Sequence, residues 1–470
     1  MNEPTSTGLT QSLADFAHSI ALEDLPGEVT GHVVDLIVDT VGCAFAGWQS
    51  EEISLVAAAL PPHVGGSSTV IGRPGRVPAM NAVFINAYLA TAITACDVYT
   101  PAHCHLTPEV IPVGLAVAEQ TRSSGAELLT AVAVGLEVAA RVARSLDFGE
   151  FRGRGWHAPG IVGPIGAAVT AAKLLRLGPD GIRTAMSLAV SQAAGTHASW
   201  PTAAVKFHQA RGAMSGLTSG YLAAQRFEAA LEPLEATDGG LYASYAPGDA
   251  TRAVEGLGSD WELTNISLRL WPGATTLQSL LSVMLAEDAS LPRADALARL
   301  TIRVPERTFD SHIGVIHPTG TFEALLSFHH VAAAVLLARR FDVALAGPPW
   351  RDDPEIRFLA ENVIELRADA RVPIGGVVVE LVTKDGQSRE LRLDHALGTP
   401  ANPASRDDVD KKFVMNAKTR LSDTDGEAML VQLRGLAAIG DSADLVAGMG
   451  RRSREPALAD ATGEAGAGRA

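Results

Sequence analysis

The sequence predicts a mainly α protein in which a large helical bundle is followed by a smaller α/β domain and then by helices that return to the bundle. Three observations predict this. From residue 8 to about residue 230, apolar residues recur at helical spacing in one segment after another. After about residue 265 the pattern turns to alternating apolar positions and a Lys-Asp-Gly-Gln turn. Hydrophobic residues make up 47% of the chain but aromatics only 5%, so Ala and Gly supply much of the apolar surface, and such small residues let helices approach closely. At 470 residues the chain is long for one compact domain.

In order, "LTQSLADFAHSIALEDL" and "GEVTGHVVDLIVDTVGCAFAG" read as amphipathic helices. "SGAELLTAVAVGLEVAARVARSL" opens with Ser, Gly and an early Glu, which is good N-terminal chemistry. "GIVGPIGAAVTAAKLLRLG" stops on Lys, Arg and Gly. "GAMSGLTSGYLAAQRF" reads as another small-residue helix, with "VKFHQARG" before it as a polar loop. "LARLTIRVPERTF" reads as a strand, "TFEALLSFHHVAAAVLLARR" as one helix, and "VIELRADARVPIGGVVVELVTKDGQSRELRLDHA" as strands with a hairpin at "KDGQ". "GTPANPASRDDVDKKFVMNAK" holds a loop and a helix start. The expected units are therefore 1–265 completed by 396–449, then 266–395, and a disordered tail at 450–470, which is small and polar.

A formal net charge of −15, with no cluster of Lys or Arg in the body, argues against a nucleic-acid partner. Three scattered cysteines, Cys43, Cys96 and Cys104, make neither a zinc ribbon nor a disulfide framework. The N-terminus lacks a basic segment followed by an apolar one. The run Thr184 to Val205 lacks Asp, Glu, Lys and Arg but carries Ser, Gln, His and Pro, which suits a buried helix and loop better than a membrane span. A cytoplasmic protein without a membrane partner is expected.

The richest stretch is Asp97 to Val113, "DVYTPAHCHLTPEVIPV". It admits three readings: a metal site from Asp97, His103 and His105, an acid–base site, or a polar loop that caps helices. Other candidates are His157 in the Gly-rich "GRGWHAPG", His208 in "VKFHQARG" near Lys206 and Arg211, His317, and the adjacent His329 and His330. Histidine titrates near neutral pH, and several polar loops between apolar helices favour a site at one end of the bundle.

The order of these segments resembles the MmgE/PrpD family. The segments that carry it are "AMNAVFINAYLATAITACDVYT", "HLTPEVIPVGLAVAE", "GWHAPGIVGPIGAAVTAAKLLRL", "SLAVSQAAG", "VKFHQARGAMSGLTSGYLAAQRF", "FEALLSFHHVAAAVLL" and "GTPANPASRDDVDKKF", spanning residues 8 to 449. The resemblance implies an all-helical domain, an α/β lid, a homodimer, no cofactor or metal, and a small carboxylate-bearing substrate. It implies catalytic roles for Asp97, His105, His157 and Lys206, and substrate-binding roles for Tyr99, Thr100, His208, Arg269, Gln278 and His330. Relative to the family pattern, two acids are missing around Tyr99, and Leu106 stands for a Pro. Arg269 stands for a Lys, Gln278 for a His, Leu325 for a basic residue and His330 for a Tyr.

Reactions of this kind make or break a bond beside a carboxylate through an enolate-like state, which cations must hold. Lys206 and Arg269 suit that task, and His105 and His157 suit proton transfer, with Asp97 orienting an imidazole or acting as base. Tyr99, Thr100 and His330 would bind substrate or protonate a leaving group. The expected activity is a lyase, first a dehydratase of the 2-methylcitrate dehydratase type with altered substrate. A decarboxylase or an epimerase on the same scaffold is the alternative, followed by a metal-dependent or a non-catalytic relative.

Overall fold

The computed structural model describes residues 8–60, 65–200, 202–287, 290–312 and 314–453. The chain is mainly α, with small sheets. Long helices run over Gly27–Ala46, Ala79–Ala92, Thr107–Thr121, Gly125–Ser145, Pro159–Leu174, Pro179–Ser191 and Ala204–Ala224. The start of Gly125–Ser145 follows from its sequence: Ser124 and Glu127 form a capping box, each side chain taking the other's backbone N–H. Helix Pro159–Leu174 ends as Arg176 turns left-handed at φ 55°, so the stop comes ahead of Gly178.

Small residues set how closely these helices pack. A Cβ on Gly135 would collide with Thr170 Oγ1, and one on Gly166 would lie 2.6 Å from the Gly135 carbonyl oxygen. Helices Gly125–Ser145 and Pro159–Leu174 therefore meet backbone to backbone. The helical stretch Gly27–Gln49 is long and apolar enough to cross a membrane, but 72% of its apolar window is buried within the protein. The uncharged run from Thr184 falls on the end of helix Pro179–Ser191, a loop, and the start of Ala204–Ala224.

One hydrophobic cluster joins residues 9–268 to residues 409–449. A second gathers residues from Ala274 to Leu391. It lies on a four-stranded sheet ordered Ile364–Ala368, Leu297–Val304, Val377–Thr383, Ser388–Leu393, in which the first pair is parallel and the others antiparallel. The hairpin at 384–387 turns on Gly386 at φ 87°. The helix expected across Thr321–Arg340 is broken in two, Thr321–Ala324 and Phe328–Ala338, because Ser327 caps the second with its hydroxyl. Helix Arg406–Ala417, capped by Ser405 and Asp408, brings the chain back to the first cluster.

Residues 450–453 are held to the body: the Ser453 N–H donates to the Arg420 carbonyl over 3.0 Å, and its hydroxyl accepts from the Ser422 N–H over 2.8 Å. The rest of the expected tail, 454–470, lies outside the described residues.

Candidate active site

The site grows from the loop between helices Ala79–Ala92 and Thr107–Thr121. Val98 and Tyr99 pair antiparallel with Ser267 and Ile266. That short ladder sets Arg269 against the loop. Arg269 donates from Nε to the Cys96 carbonyl (2.7 Å), from Nη1 to the Gly273 carbonyl (3.1 Å) and from Nη2 to Cys96 Sγ (3.2 Å).

Asp97 is buried, and its carboxylate caps the next helix. It accepts from the backbone N–H groups of Leu106 (3.0 Å) and Thr107 (3.2 Å) and from the Thr107 hydroxyl (2.7 Å). A carboxylate at a helix N-terminus is favoured by the helix dipole. Its backbone carbonyl meets His105 Nδ1 at 2.6 Å. A carbonyl only accepts, so Nδ1 carries the hydrogen and Nε2 keeps the lone pair. Burial, then Cys96, raises the Asp97 pKa to about 6. Burial, then the Arg269 charge, lowers that of His105 to about 4. At neutral pH the pair is a carboxylate beside a neutral imidazole.

Lys206 and His208 lie in the first turns of helix Ala204–Ala224, not in a loop as expected. The helix starts earlier because Val205 packs inward, and Lys206 and His208 are buried with it. The Lys206 ammonium donates to the Ala92 carbonyl at the C-terminal end of helix Ala79–Ala92 and lies 4.8 Å from the centre of the Phe322 ring. Burial lowers its pKa to about 8, with Arg269 adding to the effect.

His157 and His208 face each other, Nδ1 to Nδ1, at 2.9 Å. One nitrogen must donate and the other accept, so a single proton is shared between them. Burial, then His208, lowers the His157 pKa to about 2. Gly195, at φ +146°, lets the backbone pass this pair, since a Cβ there would lie 3.1 Å from His208 Nδ1.

Asp97, His105, Arg269, Lys206, His157 and His208 thus form one buried or half-buried group, with Arg269 acting on both His105 and Lys206, and His105 on His157. Three expected binding residues, Tyr99, Thr100 and His330, are not brought into it, and Gln278 touches it only through the Gly273 carbonyl it shares with Arg269. Tyr99 is turned into the helical core, where its hydroxyl donates to Glu262 (2.5 Å), itself paired with Arg144 (2.5 Å). His330 is buried in the second cluster with Nε2 donating to the Leu345 carbonyl (2.8 Å). Gln278 secures the turn after Arg269 through the Trp271 carbonyl (3.0 Å). Thr100 is exposed, 3.4 Å from Ser267 Oγ.

The metal reading of Asp97, His103 and His105 does not fit. His103 is exposed, left-handed at φ 42°, and packs on Phe148. The structure instead gathers ligand atoms of Cys96, Asp97 and His105 within 4.8 Å. A cation there would face the Arg269 guanidinium on Cys96 and would strip Asp97 of its helix-capping bonds.

Sequence reasoning missed Cys96, Lys412 and Asp39. Lys412 stands in the "DKKF" return segment, and its signal was the Lys in an otherwise apolar, inward-facing position.

The fold and the site define a mainly helical protein with a small mixed-sheet part, holding a buried cluster of imidazoles and cations at their junction. Two family models match the chain: the MmgE/PrpD N-terminal domain over residues 11–253 and the MmgE/PrpD C-terminal domain over residues 274–434. The chain belongs to the MmgE/PrpD family. Among its relatives is a cis-aconitate decarboxylase of Homo sapiens, 28% identical over 455 residues, which covers 92% of each chain. A cis-aconitate decarboxylase of Mus musculus is 26% identical over 453 residues, 92% of this chain and 91% of that one. One from Aspergillus terreus is 28% identical over 282 residues, 56% and 57% of the two chains. The expected isomerase alternative draws no support from these names.

Proposed function

We propose that the protein is a lyase, without an organic cofactor, that acts on the carbon next to a carboxylate of a small unsaturated acid, and that it releases carbon dioxide. The observation that carries this is the pairing of two buried cations, Lys206 and Arg269, with a neutral His105 whose Nε2 is left free by its bond to the Asp97 carbonyl. The decarboxylase relatives support the same choice.

In this reading Arg269 and Lys206 hold substrate carboxylates. The bond from carbon to the departing carboxylate breaks, carbon dioxide leaves, and the electron pair stays on carbon, spread into the adjacent unsaturated carboxylate. The cations hold that charge. The His157–His208 pair, neutral at rest, then relays a proton from solvent to carbon, one N–H proton leaving as another enters, so that no imidazolate is left behind. Decarboxylation needs one proton donor. Dehydration needs a second acid for the leaving hydroxyl, and Tyr99 and His330, expected for that task, are engaged elsewhere. The dehydratase expectation therefore ranks second, kept because the Asp97–His105 and His157–His208 pairs could serve as separate base and acid.

The described residues within 1–265 and 396–449 form the bundle domain in this reading, and those within 266–395 the lid, a division the two hydrophobic clusters support. A homodimer belongs to the same proposal.

The test is incubation with cis-aconitate in deuterated water, followed by NMR and by carbon dioxide release. One deuterium on the product carbon and one carbon dioxide per turnover are expected. Hydration without carbon dioxide would establish the dehydratase reading, and inertness toward small unsaturated and hydroxy acids would make the chain a non-catalytic relative.

A further inference from the structure

Helix Arg406–Ala417 returns from the second cluster and places Lys412 beneath the site. Its ammonium is 2.5 Å from Asp39 Oδ1 on helix Gly27–Ala46, 2.7 Å from the Ala95 carbonyl and 2.6 Å from the Arg269 carbonyl. All three of its hydrogens are used. The two carbonyls belong to the residue before Cys96 and to Arg269 itself, and Arg269 in turn grips Cys96 through its carbonyl and Sγ. One buried ammonium therefore clamps both ends of the contact that aims the guanidinium. Cys43 Sγ, 3.5 Å from the same Ala95 carbonyl, completes the enclosure.

We infer that Lys412, held by Asp39, is a positioning residue for Arg269, and that the return of this helix from the second cluster sets the carboxylate-binding geometry. Both partners are buried, at 5% and 2% exposure. Burial works against both charges and raises the Asp39 pKa, while Asp39, together with Cys43, holds the Lys412 pKa above its usual value. A buried ion pair is a poor source of net stability when an apolar pair of similar volume would fill the space. Its geometric use here is the aim of three donors at once, which an apolar pair cannot supply. The inference rests on the proposed function only in taking Arg269 to hold the substrate carboxylate.

The double variant Asp39→Asn/Lys412→Met removes both charges together, so no lone buried charge is left. On cis-aconitate it is expected to raise KM at least roughly ten-fold and to lower kcat as well, since a well-aimed Arg269 both grips the carboxylate in the ground state and holds the charge that develops as carbon dioxide leaves. In an Arg269→Ala background the same exchange should raise KM no further, because Lys412 acts through Arg269. Independently of turnover, alkylation of Cys96 by iodoacetamide, followed by peptide mass spectrometry, should speed up relative to Cys104. Should the double variant fail to fold, Lys412→Arg, which keeps the charge but changes the donor geometry, is read in the same way. An additive KM effect in the Arg269→Ala background would overturn the inference. So would a folded variant with unchanged Cys96 labelling. If wild-type protein does not turn over cis-aconitate, the proposed function fails, and the labelling alone decides the role of Lys412.

Discussion

The Arg269 Nε–H donates to the Cys96 carbonyl over 2.7 Å, although 173 residues separate the two in the chain. This bond brings the strand that leaves the helical bundle against the loop that carries Asp97 and His105. It also commits part of the guanidinium to backbone, so the side chain is held in place before any substrate arrives.

Arg269→Lys keeps a positive charge but loses the planar fork. It is expected to lower stability by about 1–3 kcal/mol, because the Cys96 carbonyl loses the Arg269 Nε–H, and to raise KM for a carboxylate substrate. Thermal melting and steady-state kinetics read the two effects separately.

The pH dependence of kcat/KM should be bell-shaped. On the acid side, protonation of the Asp97–His105 pair removes activity as pH falls through about 6, the Asp97 value, the limb belonging to the pair rather than to one group. On the alkaline side, activity falls as Lys206 loses its proton near pH 8. A profile flat from pH 5 to 9 would refute the assignment of these groups.

His157→Gln and His208→Gln should each lower kcat by roughly 10²–10⁴-fold with little change in melting temperature. Carbon dioxide release by the purified variants checks this, and a loss confined to one of them would break the shared-proton account.

Tyr99→Phe tests the corrected role of that residue. Its hydroxyl holds Glu262 in the core, so the variant should lose about 1–2 kcal/mol of stability while kcat and KM stay near wild type. A large fall in kcat would return Tyr99 to the site.

Glu109 is buried in the first turns of helix Thr107–Thr121, and neither carboxylate oxygen has a hydrogen-bond partner in the structure. Burial, then Asp97, raises its pKa well above the carboxylate range. The folded state therefore binds a proton that the unfolded chain has released, so this group's contribution to stability declines as pH rises above its unfolded value of about 4.5. Glu109→Gln should remove that decline: denaturant titrations at pH 5 and pH 8 should show a smaller difference for the variant than for wild type.

Much of the scaffold was legible in the sequence. Helical spacing marked Gly27–Ala46 and Gly125–Ser145, and Ser124 with Glu127 announced the start of the latter. The alternation in residues 297–304 and the Gly386 turn marked the sheet. These are local effects of side-chain period and backbone freedom. The family resemblance rested on the same segments, and its candidates Asp97, His105, His157, Lys206, His208 and Arg269 are gathered by the fold.

Which way a polar side chain turns was decided by tertiary structure alone. Tyr99 is the second residue of a two-residue strand, and only the pairing with Ile266 sends its hydroxyl to Glu262. His330 and Gln278 are taken by carbonyls of their own unit, Leu345 and Trp271. Lys412 lies far along the chain from Asp39 and meets it only when the last helices return. A buried polar group takes whichever partner the folded chain brings within hydrogen-bonding distance, because leaving it unpaired is costly. The sequence by itself determined the mainly helical class, the alternation that makes the sheet, and the family. The packing of distant segments decided which of the polar residues share a site and which hold it in place.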